Sequence, residues 1–374
     1  MQTTPNISYL TDIYFGYGKL EILPALLKTH GVSQPLVVTD KGVINAGIID
    51  GLGLKRHVIF DRVETNPTEA MAIAALSTYR NFECNGILAV GGGSVIDVAK
   101  CVGLLVHHVQ PLEQYAMLNG GSSKITSQFP PLIAIPTTAG SGSEIGRAAL
   151  ITTNSGNKLA FISKHLIPKA AICDPEVTVG MSPQLTAATG MDAVSHCIEA
   201  FCSNNYNPVA EAIAIDGLER GFNNIVKATT NGNDKQARSE MMLCSLQGGL
   251  AFQKSLGAVH SLSHPLGALS EKKLHHGLLN AIFLPFVLNF NYAYCRDKME
   301  SIAGRLKINE AYKLPYQFAL LNQKLGLPVR LREIGLTKAE LLPLAKKAKE
   351  DHCTPSNPRP LEVEDCEKLY AEAW

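Results

Sequence analysis

One stretch decides the fold class of this chain: Gly86-Ile87-Leu88-Ala89-Val90-Gly91-Gly92-Gly93-Ser94-Val95-Ile96-Asp97-Val98-Ala99-Lys100. A short apolar run leads into three glycines and then into a segment of helical composition, which predicts a strand, a tight turn and a helix. Glycines let the backbone approach a ligand closely, and a helix N-terminus offers unpaired N–H groups and the positive end of the helix dipole. The stretch therefore predicts room for an anion such as a pyrophosphate, although a lone glycine triplet is equally typical of an ordinary strand-to-helix turn.

The rest of the first half follows the same pattern. Leu36–Asp40 and Leu132–Pro136 are short apolar runs that end in polar or turn residues, and segments of helical length separate them. Such runs are typical of buried parallel strands. We therefore expect a doubly wound, Rossmann-like α/β domain that binds a nucleotide over residues 1–180.

The second half reads differently. After about Met181 the β-branched runs thin out, and helical periodicity fills Ser182–Phe201, Pro208–Lys227 and Ala237–Phe252. This pattern predicts an all-α domain over residues 181–374. Two domains also agree with a length of 374 residues, since a single core rarely serves so long a chain.

A second loop strengthens the nucleotide prediction. Pro136–Glu144 places hydroxyls and glycines where a parallel strand should end. Ligands of open α/β sheets bind outside the carboxyl ends of the strands, so two such loops beside one crevice favour a dinucleotide. Asp40 ends an earlier strand, where its carboxylate would bond a ribose diol and repel a 2′-phosphate, which favours NAD over NADP. A helix N-cap or turn role for Asp40 is an equally good interpretation.

Composition limits the partners. The 34 basic and 33 acidic residues leave a net charge of +1, so no bulk field attracts nucleic acid or an anionic membrane surface. The nine cysteines include no C-x-x-C pair, which indicates reduced thiols and a cytoplasmic location. No apolar run reaches the roughly 18 residues of a membrane span. Small molecules are the expected partners.

The helical half carries candidate metal ligands. Asp192 and His196 are four residues apart and so share one face of a helix, and His260 and His264 repeat the spacing. His275 and His276 follow, so that five of the eleven histidines gather in two short segments. A single histidine is more often structural, but two such pairs in one domain favour a site for Fe²⁺ or Zn²⁺.

Three other residues near these pairs have ordinary interpretations. Cys197 follows His196 directly and would point about 100° away from it on a helix, so Cys197 and Cys202 are interpreted as core thiols. Lys254 would lie about two turns before His260 if one helix joined them. It is then either a solvated lysine or a residue of the substrate wall that meets an anionic group.

Together these motifs resemble the iron-containing, or group III, alcohol dehydrogenase family. The resemblance covers nearly the whole chain and rests on Phe15–Gly18, Gly91–Lys100, Pro136–Glu144, Asp174-Pro175, Gly190–Asp192 and the histidine segment. It implies the fold shared with dehydroquinate synthase, with the active site in the cleft between an α/β domain and a helical metal domain. It also implies a homodimer or a higher homo-oligomer.

The resemblance assigns residues individually. The metal ligands would be Asp192, His196, His260 and His276, and His264 would assist proton movement near the nicotinamide. The cofactor-binding positions would be Asp40, Asn66, Gly92, Gly93, Ser94, Val95, Thr137, Thr138 and Lys158. This chain departs from the family in two places: a longer loop before Leu274-His275-His276-Gly277 leaves His275 as an alternative fourth ligand, and the segment before His260 is about one residue shorter.

The expected function is a metal-dependent NAD(P) oxidoreductase that interconverts an alcohol and its aldehyde or ketone by hydride transfer. The ion would polarise the substrate oxygen and the nicotinamide would accept the hydride. One alternative is oxidation of a hydroxy acid or of the terminal alcohol of a sugar acid, as in a 3-deoxy-octulosonate 8-oxidase. The other is a non-catalytic sensor that binds NAD and a metal. The substrate, the native metal, the oligomer and the choice of His275 or His276 stay open.

Overall fold

The computed structural model describes Ile7, Tyr9 and residues 11–374, and of Ser270 it describes the backbone alone. The chain forms two compact units. An α/β unit contains Tyr9–Thr138 and Gly142–Gly180, and a helical unit contains Ala139–Ser141 and Met181–Trp374. Among the described residues, no helix is long and apolar enough to cross a membrane.

The α/β unit is built on a parallel sheet of six strands. The α/β unit has eight strands, six in this sheet and two in a separate hairpin. In chain order they are β1 Asp12–Phe15, β2 Pro35–Val38, β3 Val58–Phe60, β4 Gly86–Gly91, β5 Leu132–Pro136, β6 Ala148–Thr152, β7 Lys158–Ile162 and β8 Ala170–Cys173. The sheet order is β1-β8-β5-β4-β2-β3, and all its pairs are parallel. The strands predicted from the three apolar runs are confirmed. The antiparallel hairpin of β6 and β7 was not predicted.

Helices cover both faces of this sheet. They are α1 Leu23–Thr29, α2 Lys41–Asn45, α3 Glu69–Asn81 and α4 Gly93–His107. Alternate residues of β4 show the two faces: Ile87 and Ala89 pack with α3 and α4, whereas Leu88 and Val90 pack with α1 and α2. Burial of the strands on both sides explains their continuous apolar runs, and the predicted doubly wound fold is confirmed.

The strand order places a switch point beside β4. From β2 the chain proceeds to its outer neighbour β3, whereas from β4 it proceeds to β5 on the opposite side. The connections at the carboxyl ends of β2 and β4 therefore diverge, which opens the crevice where doubly wound sheets bind ligands. Thr39, directly after β2, donates its hydroxyl proton to the carbonyl of Val90 in β4 at 2.8 Å and ties the two strand ends together.

The helical unit consists of helices that pack around one buried helix. They are α5 Pro183–Cys202, α6 Pro208–Thr230, α7 Lys235–Ala251, α8 Ala258–Gly267, α9 His276–Asn291, α10 Arg296–Arg305, α11 Leu314–Lys324, α12 Lys338–Leu341, α13 Ala345–Lys349 and α14 Val363–Ala373. Every residue of α5 from Thr186 onward is buried. Ser182 caps α5 by accepting a hydrogen bond from the backbone N–H of Leu185 at 3.2 Å, and Pro183 suits the first turn.

The condition set for Lys254, that one helix joins it to His260, is not met. No continuous helix joins Lys254 to His260, because α7 ends at Ala251, a 3-10 turn covers Phe252–Lys254, and α8 begins at Ala258. Ser255 between them has φ of 81°. That left-handed conformation interrupts a right-handed helix, so the chain changes direction before α8.

Candidate active site

The glycine turn lies at the carboxyl end of β4. Gly92 is the N-cap of α4 and has extended backbone angles. A Cβ on Gly91 would lie 2.5 Å from a methyl group of Val95, so the turn has no room for a side chain there. Thr137 donates its N–H to the carbonyl of Gly91 at 3.1 Å, and Thr138 lies against Gly92. The two predicted nucleotide loops therefore meet at adjacent strand ends.

A buried polar network holds α4 below this turn. Lys100 donates to the carbonyls of Gly146 and Ala148, both at 2.7 Å. Asp97 accepts from the hydroxyl of Ser143 at 2.6 Å and from the N–H of Leu150 at 3.0 Å. Burial lowers the pKa of Lys100 to about 8, although Asp97 opposes that shift. The network attaches the start of α4 to the chain that follows the second loop.

Asp40 caps a helix. It is the N-cap of α2, and its carboxylate accepts a hydrogen bond from the N–H of Val43 at 3.0 Å. The N-cap interpretation is thus observed, and contact with a ribose remains a prediction. The two roles are compatible, because a carboxylate has more lone pairs than the single cap bond uses.

The remaining predicted cofactor residues lie around the loop before α3. Ser94 donates its hydroxyl proton to the carbonyl of Thr65 at 2.6 Å, beside Asn66. Lys158 begins β7 and pairs with Thr152, whose N–H donates to the carbonyl of Pro67 at 2.9 Å. The structure thus brings Ser94, Asn66 and Lys158 to one region, and Gly93 and Val95 occupy the first turn of α4.

The predicted metal ligands converge in the helical unit. Asp192 and His196 lie on α5, His260 on α8, and His276 is the first residue of α9. Ligand atoms of Asp192, His196 and His260 all lie within 4.8 Å of one another. From Oδ1 of Asp192 to the Nε2 atoms, the distances are 3.9 Å for His196, 3.7 Å for His260 and 3.7 Å for His276.

Second partners orient these imidazole rings. Nδ1 of His260 lies 2.5 Å from Oε2 of Glu199, and Nδ1 of His196 lies 3.3 Å from the carbonyl oxygen of Gly140. With Nδ1 engaged in this way, each of the two rings has its Nε2 directed at the cluster. Burial lowers the pKa of His196 to about 4, so its ring is neutral and has a lone pair at ordinary pH. Burial also raises the pKa of Glu199 to about 8.

Asn280 adds a polar group that sequence reasoning missed. Its amide nitrogen lies 2.7 Å from Oδ1 of Asp192 and 3.1 Å from Nε2 of both His260 and His276. Its Oδ1 is buried without a hydrogen-bond partner among the described residues. Three imidazoles and a carboxylate form a donor set that suits a divalent cation such as Fe²⁺ or Zn²⁺. The NH₂ group of Asn280 lies against three of these four ligand side chains and is a hydrogen-bond donor there.

His276 and His275 occupy different surroundings. His276 faces Asp192 and Asn280, and its side chain is partly exposed. His275 is the N-cap of α9, and its buried Nδ1 has no hydrogen-bond partner among the described residues. His276 therefore has the better position for a ligand, although burial also lowers the pKa of His275 and keeps that ring neutral.

His264 lies one turn after His260 on α8, outside the four-residue cluster. Its Nδ1 lies 2.9 Å from Oδ2 of Asp351. The His264 ring stacks nearly parallel on the rings of His276 and of His352, with centroids 5.4 Å apart in both pairs. The predicted proton-handling histidine thus adjoins the predicted metal ligands.

Lys254 is neither solvated nor available to a substrate. Its ammonium group is fully buried, lies 2.9 Å from a carboxylate oxygen of Glu211 and donates to the carbonyl of Phe201 at 3.0 Å. Both interpretations of this lysine from the sequence are therefore wrong, because the turn before Ser255 directs the side chain into the helical core. Cys197 and Cys202 are buried, as expected of core thiols.

Three residues escaped sequence reasoning: Glu199, Asn280 and Asp351. Two of them carried a local signal, since Glu199 lies three residues after His196 and Asn280 lies four residues after His276, so each shares a helical face with a predicted ligand. Asp351 is 87 residues from His264, and no spacing rule connects them.

Comparisons with known proteins identify the family of this chain. Residues 11–175 match the model of the iron-containing alcohol dehydrogenase family, and residues 186–374 match that of the C-terminal region of the Fe-containing alcohol dehydrogenase family. The chain belongs to the iron-containing alcohol dehydrogenase family. It is 43% identical to a 4-hydroxybutyrate dehydrogenase of Cupriavidus necator, over 98% of this chain and 99% of that protein.

Two further similarities extend over almost the full length. A 1,3-propanediol dehydrogenase of Klebsiella pneumoniae is 33% identical, over 99% of this chain and 97% of that protein. A crystal structure of a 1,3-propanediol oxidoreductase has a TM-score of 0.92 and 32% identity, and covers 99% of this chain and 100% of that one. This member of the iron-containing family is an NAD-dependent, metal-containing enzyme that interconverts an alcohol and its carbonyl compound. The enzyme prediction is confirmed.

Proposed function

We propose that this iron-containing alcohol dehydrogenase oxidises a short hydroxy acid whose hydroxyl group is terminal, of the 4-hydroxybutyrate type, to the corresponding aldehyde acid with NAD. The observation that carries the proposal is the 43% identity to a 4-hydroxybutyrate dehydrogenase across nearly the whole chain. Similarity to the propanediol enzyme is ten percentage points lower, at 33%. A neutral diol is therefore the second candidate.

The proposal assigns the metal to Asp192, His196, His260 and His276. A divalent cation held there would supply a Lewis acid for the alcohol or carbonyl oxygen. Neutral imidazoles leave the cation most of its charge, and Asp192 offsets part of it. Glu199 keeps the ring of His260 aimed at the ion through the 2.5 Å contact at Nδ1.

The cofactor is assigned to the crevice at the ends of β2, β4 and β5. The N–H groups at the start of α4, from Gly92, Gly93, Ser94 and Val95, would bind the pyrophosphate. Thr137, Thr138, Asn66 and Lys158 would contact the rest of the dinucleotide, and Asp40 would favour NAD over NADP. His264 would carry the proton of the substrate hydroxyl away from the reacting oxygen.

The substrate carboxylate does not bind Lys254 in this proposal. That lysine is committed to Glu211 and to the carbonyl of Phe201 inside the helical core. Recognition of the acid would instead use another cation or backbone N–H groups near the reacting carbon, since an ionised carboxylate needs such donors when it leaves water.

A matched pair of alcohols tests the substrate. With Fe²⁺-loaded enzyme and NAD, we expect kcat/KM for 4-hydroxybutyrate to exceed that for 1-butanol by about tenfold or more, the effect of one contact worth roughly 1.4 kcal/mol. Lys254→Met should leave this ratio unchanged. Equal efficiency on both alcohols would refute the hydroxy-acid proposal, and a lower ratio in the variant would return Lys254 to the substrate wall.

The same proposal includes a homodimer or higher homo-oligomer in the cytoplasm, folded as domains 1–180 and 181–374. Nine free cysteines, eight of them buried, agree with a reducing compartment. Light scattering after size exclusion gives the oligomeric state directly. A mass of 40.3 kDa would identify a monomer and contradict this part of the proposal.

A further inference from the structure

Helix α8 presents two histidines one turn apart, and each has the carboxyl group of an acidic residue at Nδ1. His260 contacts Glu199, and His264 contacts Asp351 at 2.9 Å. The first pair orients a predicted metal ligand. The second pair lies outside that four-ligand cluster, and Asp351 belongs to a distant segment after α13. His264 and Asp351 form a separate group with His352 and Cys353, whose ligand atoms all lie within 4.8 Å of one another.

Asp351 is held in place by its other oxygen. Its Oδ1 accepts a hydrogen bond from the backbone N–H of Cys353 at 2.9 Å and from the hydroxyl of Ser261 at 3.5 Å. With Oδ1 fixed by a backbone donor, Oδ2 is left to face Nδ1 of His264. The carboxylate therefore has one orientation, and His264 is its partner in that orientation.

The charge of Asp351 decides where the proton of this pair resides. Its Oδ1 accepts the N–H of Cys353 at 2.9 Å, and its Oδ2 lies 2.9 Å from Nδ1 of His264, so both oxygens are placed as acceptors. A carboxylate can only accept hydrogen bonds. Nδ1 of His264 must then be the donor, so in the neutral ring the lone pair lies on Nε2.

The ring planes restrict His264 further. Its imidazole stacks on the rings of His276 and His352, with interplanar angles of 11° and 10°. His352 also lies 3.6 Å from Oδ2 of Asp351 through Nδ1. Rotation of His264 about its side-chain bonds would break these two ring contacts as well as the bond to Asp351.

We propose that Asp351 is a positioning residue of the reaction: it fixes the tautomer and the ring orientation of His264 so that Nε2 can accept a proton. This inference rests on the proposed function, in which His264 carries the proton of the substrate hydroxyl. It deepens that function, because a histidine with the other tautomer has an N–H at Nε2 and cannot accept there.

Asp351→Asn is the decisive variant. The N–H of Cys353 still requires an acceptor, so the amide oxygen takes the place of Oδ1 and the NH₂ group faces Nδ1 of His264. That arrangement forces the proton of the neutral ring onto Nε2. We expect kcat to fall by about 10–100-fold, the usual effect of losing a partner that orients a functional histidine, with KM for alcohol and for NAD nearly unchanged.

A spectroscopic readout separates positioning from general damage. In Zn²⁺-loaded protein with ¹⁵N-labelled histidine, the ring signals of His264, identified by their absence in His264→Ala, should show the Nδ1–H tautomer in the parent and the Nε2–H tautomer in Asp351→Asn. Ser261→Ala is the matched control, because it removes a 3.5 Å contact at Oδ1 and leaves Oδ2 alone. It also removes the bonds of this hydroxyl to the carbonyl of Gly257 and to the hydroxyl of Thr354, neither of which involves Asp351. It should retain the parent tautomer and kcat.

A double-mutant cycle completes the test. If Asp351 acts through His264, Asp351→Asn should lower kcat in the parent and have no further effect in His264→Ala. An equal loss in both backgrounds, or an unchanged tautomer in Asp351→Asn, would overturn the positioning role. If His264→Ala itself keeps full kcat with metal bound, the proton role in the proposed function fails, whereas the tautomer measurement still decides whether Asp351 positions the ring.

Discussion

The glycine turn of the α/β unit and the histidine cluster of the helical unit are built in opposite ways. The turn is contiguous in sequence, and the groups proposed to bind the cofactor there are backbone N–H groups at the start of α4. The cluster is assembled from side chains on three helices, and Asp192 and Asn280 within it are 88 residues apart. A backbone site depends on the space that glycine leaves, whereas a side-chain site depends on each donor and on the residue that orients it.

The largest expected effect comes from the cluster. His260→Ala removes one donor and leaves Glu199 without its histidine, so we expect affinity for Fe²⁺ or Zn²⁺ to fall by at least about 100-fold, and activity with it. His264→Ala is the control one turn away, and it should keep the metal. Metal analysis and calorimetry measure both. Equal metal content in parent and His260→Ala would remove the cluster from consideration as the metal site.

Glu144, a buried carboxyl group close enough to Lys100 of the polar network to affect its charge, predicts a pH effect on stability. Burial raises the pKa of Glu144 to about 7. From pH 4.5 to 7 the folded carboxyl keeps its proton while the unfolded one has lost it, so stability falls as pH rises, by at most about 3 kcal/mol. In Glu144→Gln the free energy of unfolding should lack the decrease that Glu144 causes between pH 4.5 and pH 7. The variant should therefore be more stable than the parent at pH 7. Urea unfolding at pH 4.5 and pH 7 checks it, and parallel pH profiles of the two proteins would contradict it.

The turn itself should respond to added volume. In Gly91→Ala the new Cβ would lie 2.5 Å from a methyl group of Val95, a branched side chain with little freedom to move. We expect a loss of about 1–3 kcal/mol in the free energy of unfolding. In Gly92→Ala the nearest atom is Oγ1 of Thr138 at 3.2 Å. Gly92→Ala should be nearly as stable as the parent but have a raised KM for NAD. If Gly92→Ala were instead the less stable of the two variants and kept the parent's KM for NAD, the turn would have a structural role alone.

The smallest effect is expected at Asp40. Asp40→Gly removes a negative charge and one cap bond, and glycine at an N-cap costs only about a few tenths of a kcal/mol. Since repulsion of a 2′-phosphate would vanish, the ratio of kcat/KM for NAD to that for NADP should fall by about tenfold. Equal use of both cofactors by the parent would identify Asp40 as a cap residue alone.

The sequence alone determined the elements whose signal is local. Short apolar runs predicted β2, β4 and β5, because strands buried on both faces need apolar residues at every position. Helical periodicity predicted α5, α6 and α7 to within a few residues, and the spacing of Asp192 and His196 put both on one face of α5. These features depend on residues that are at most a few helical turns apart, so they can be predicted from the local sequence.

Tertiary structure alone decided which distant side chains meet. Nothing local pairs Glu199 with His260 or Asp351 with His264, and only the packing of α5, α8 and the segment after α13 brings their atoms into contact. The burial of Lys254 also depends on tertiary structure. The 3-10 turn Phe252–Lys254 ends at Ser255, which has a positive φ, and the ammonium group of Lys254 lies beside Glu211. Local sequence sets which face of an element a residue occupies, but its partners and its ionisation follow from the free energy of packing that face against the rest of the chain.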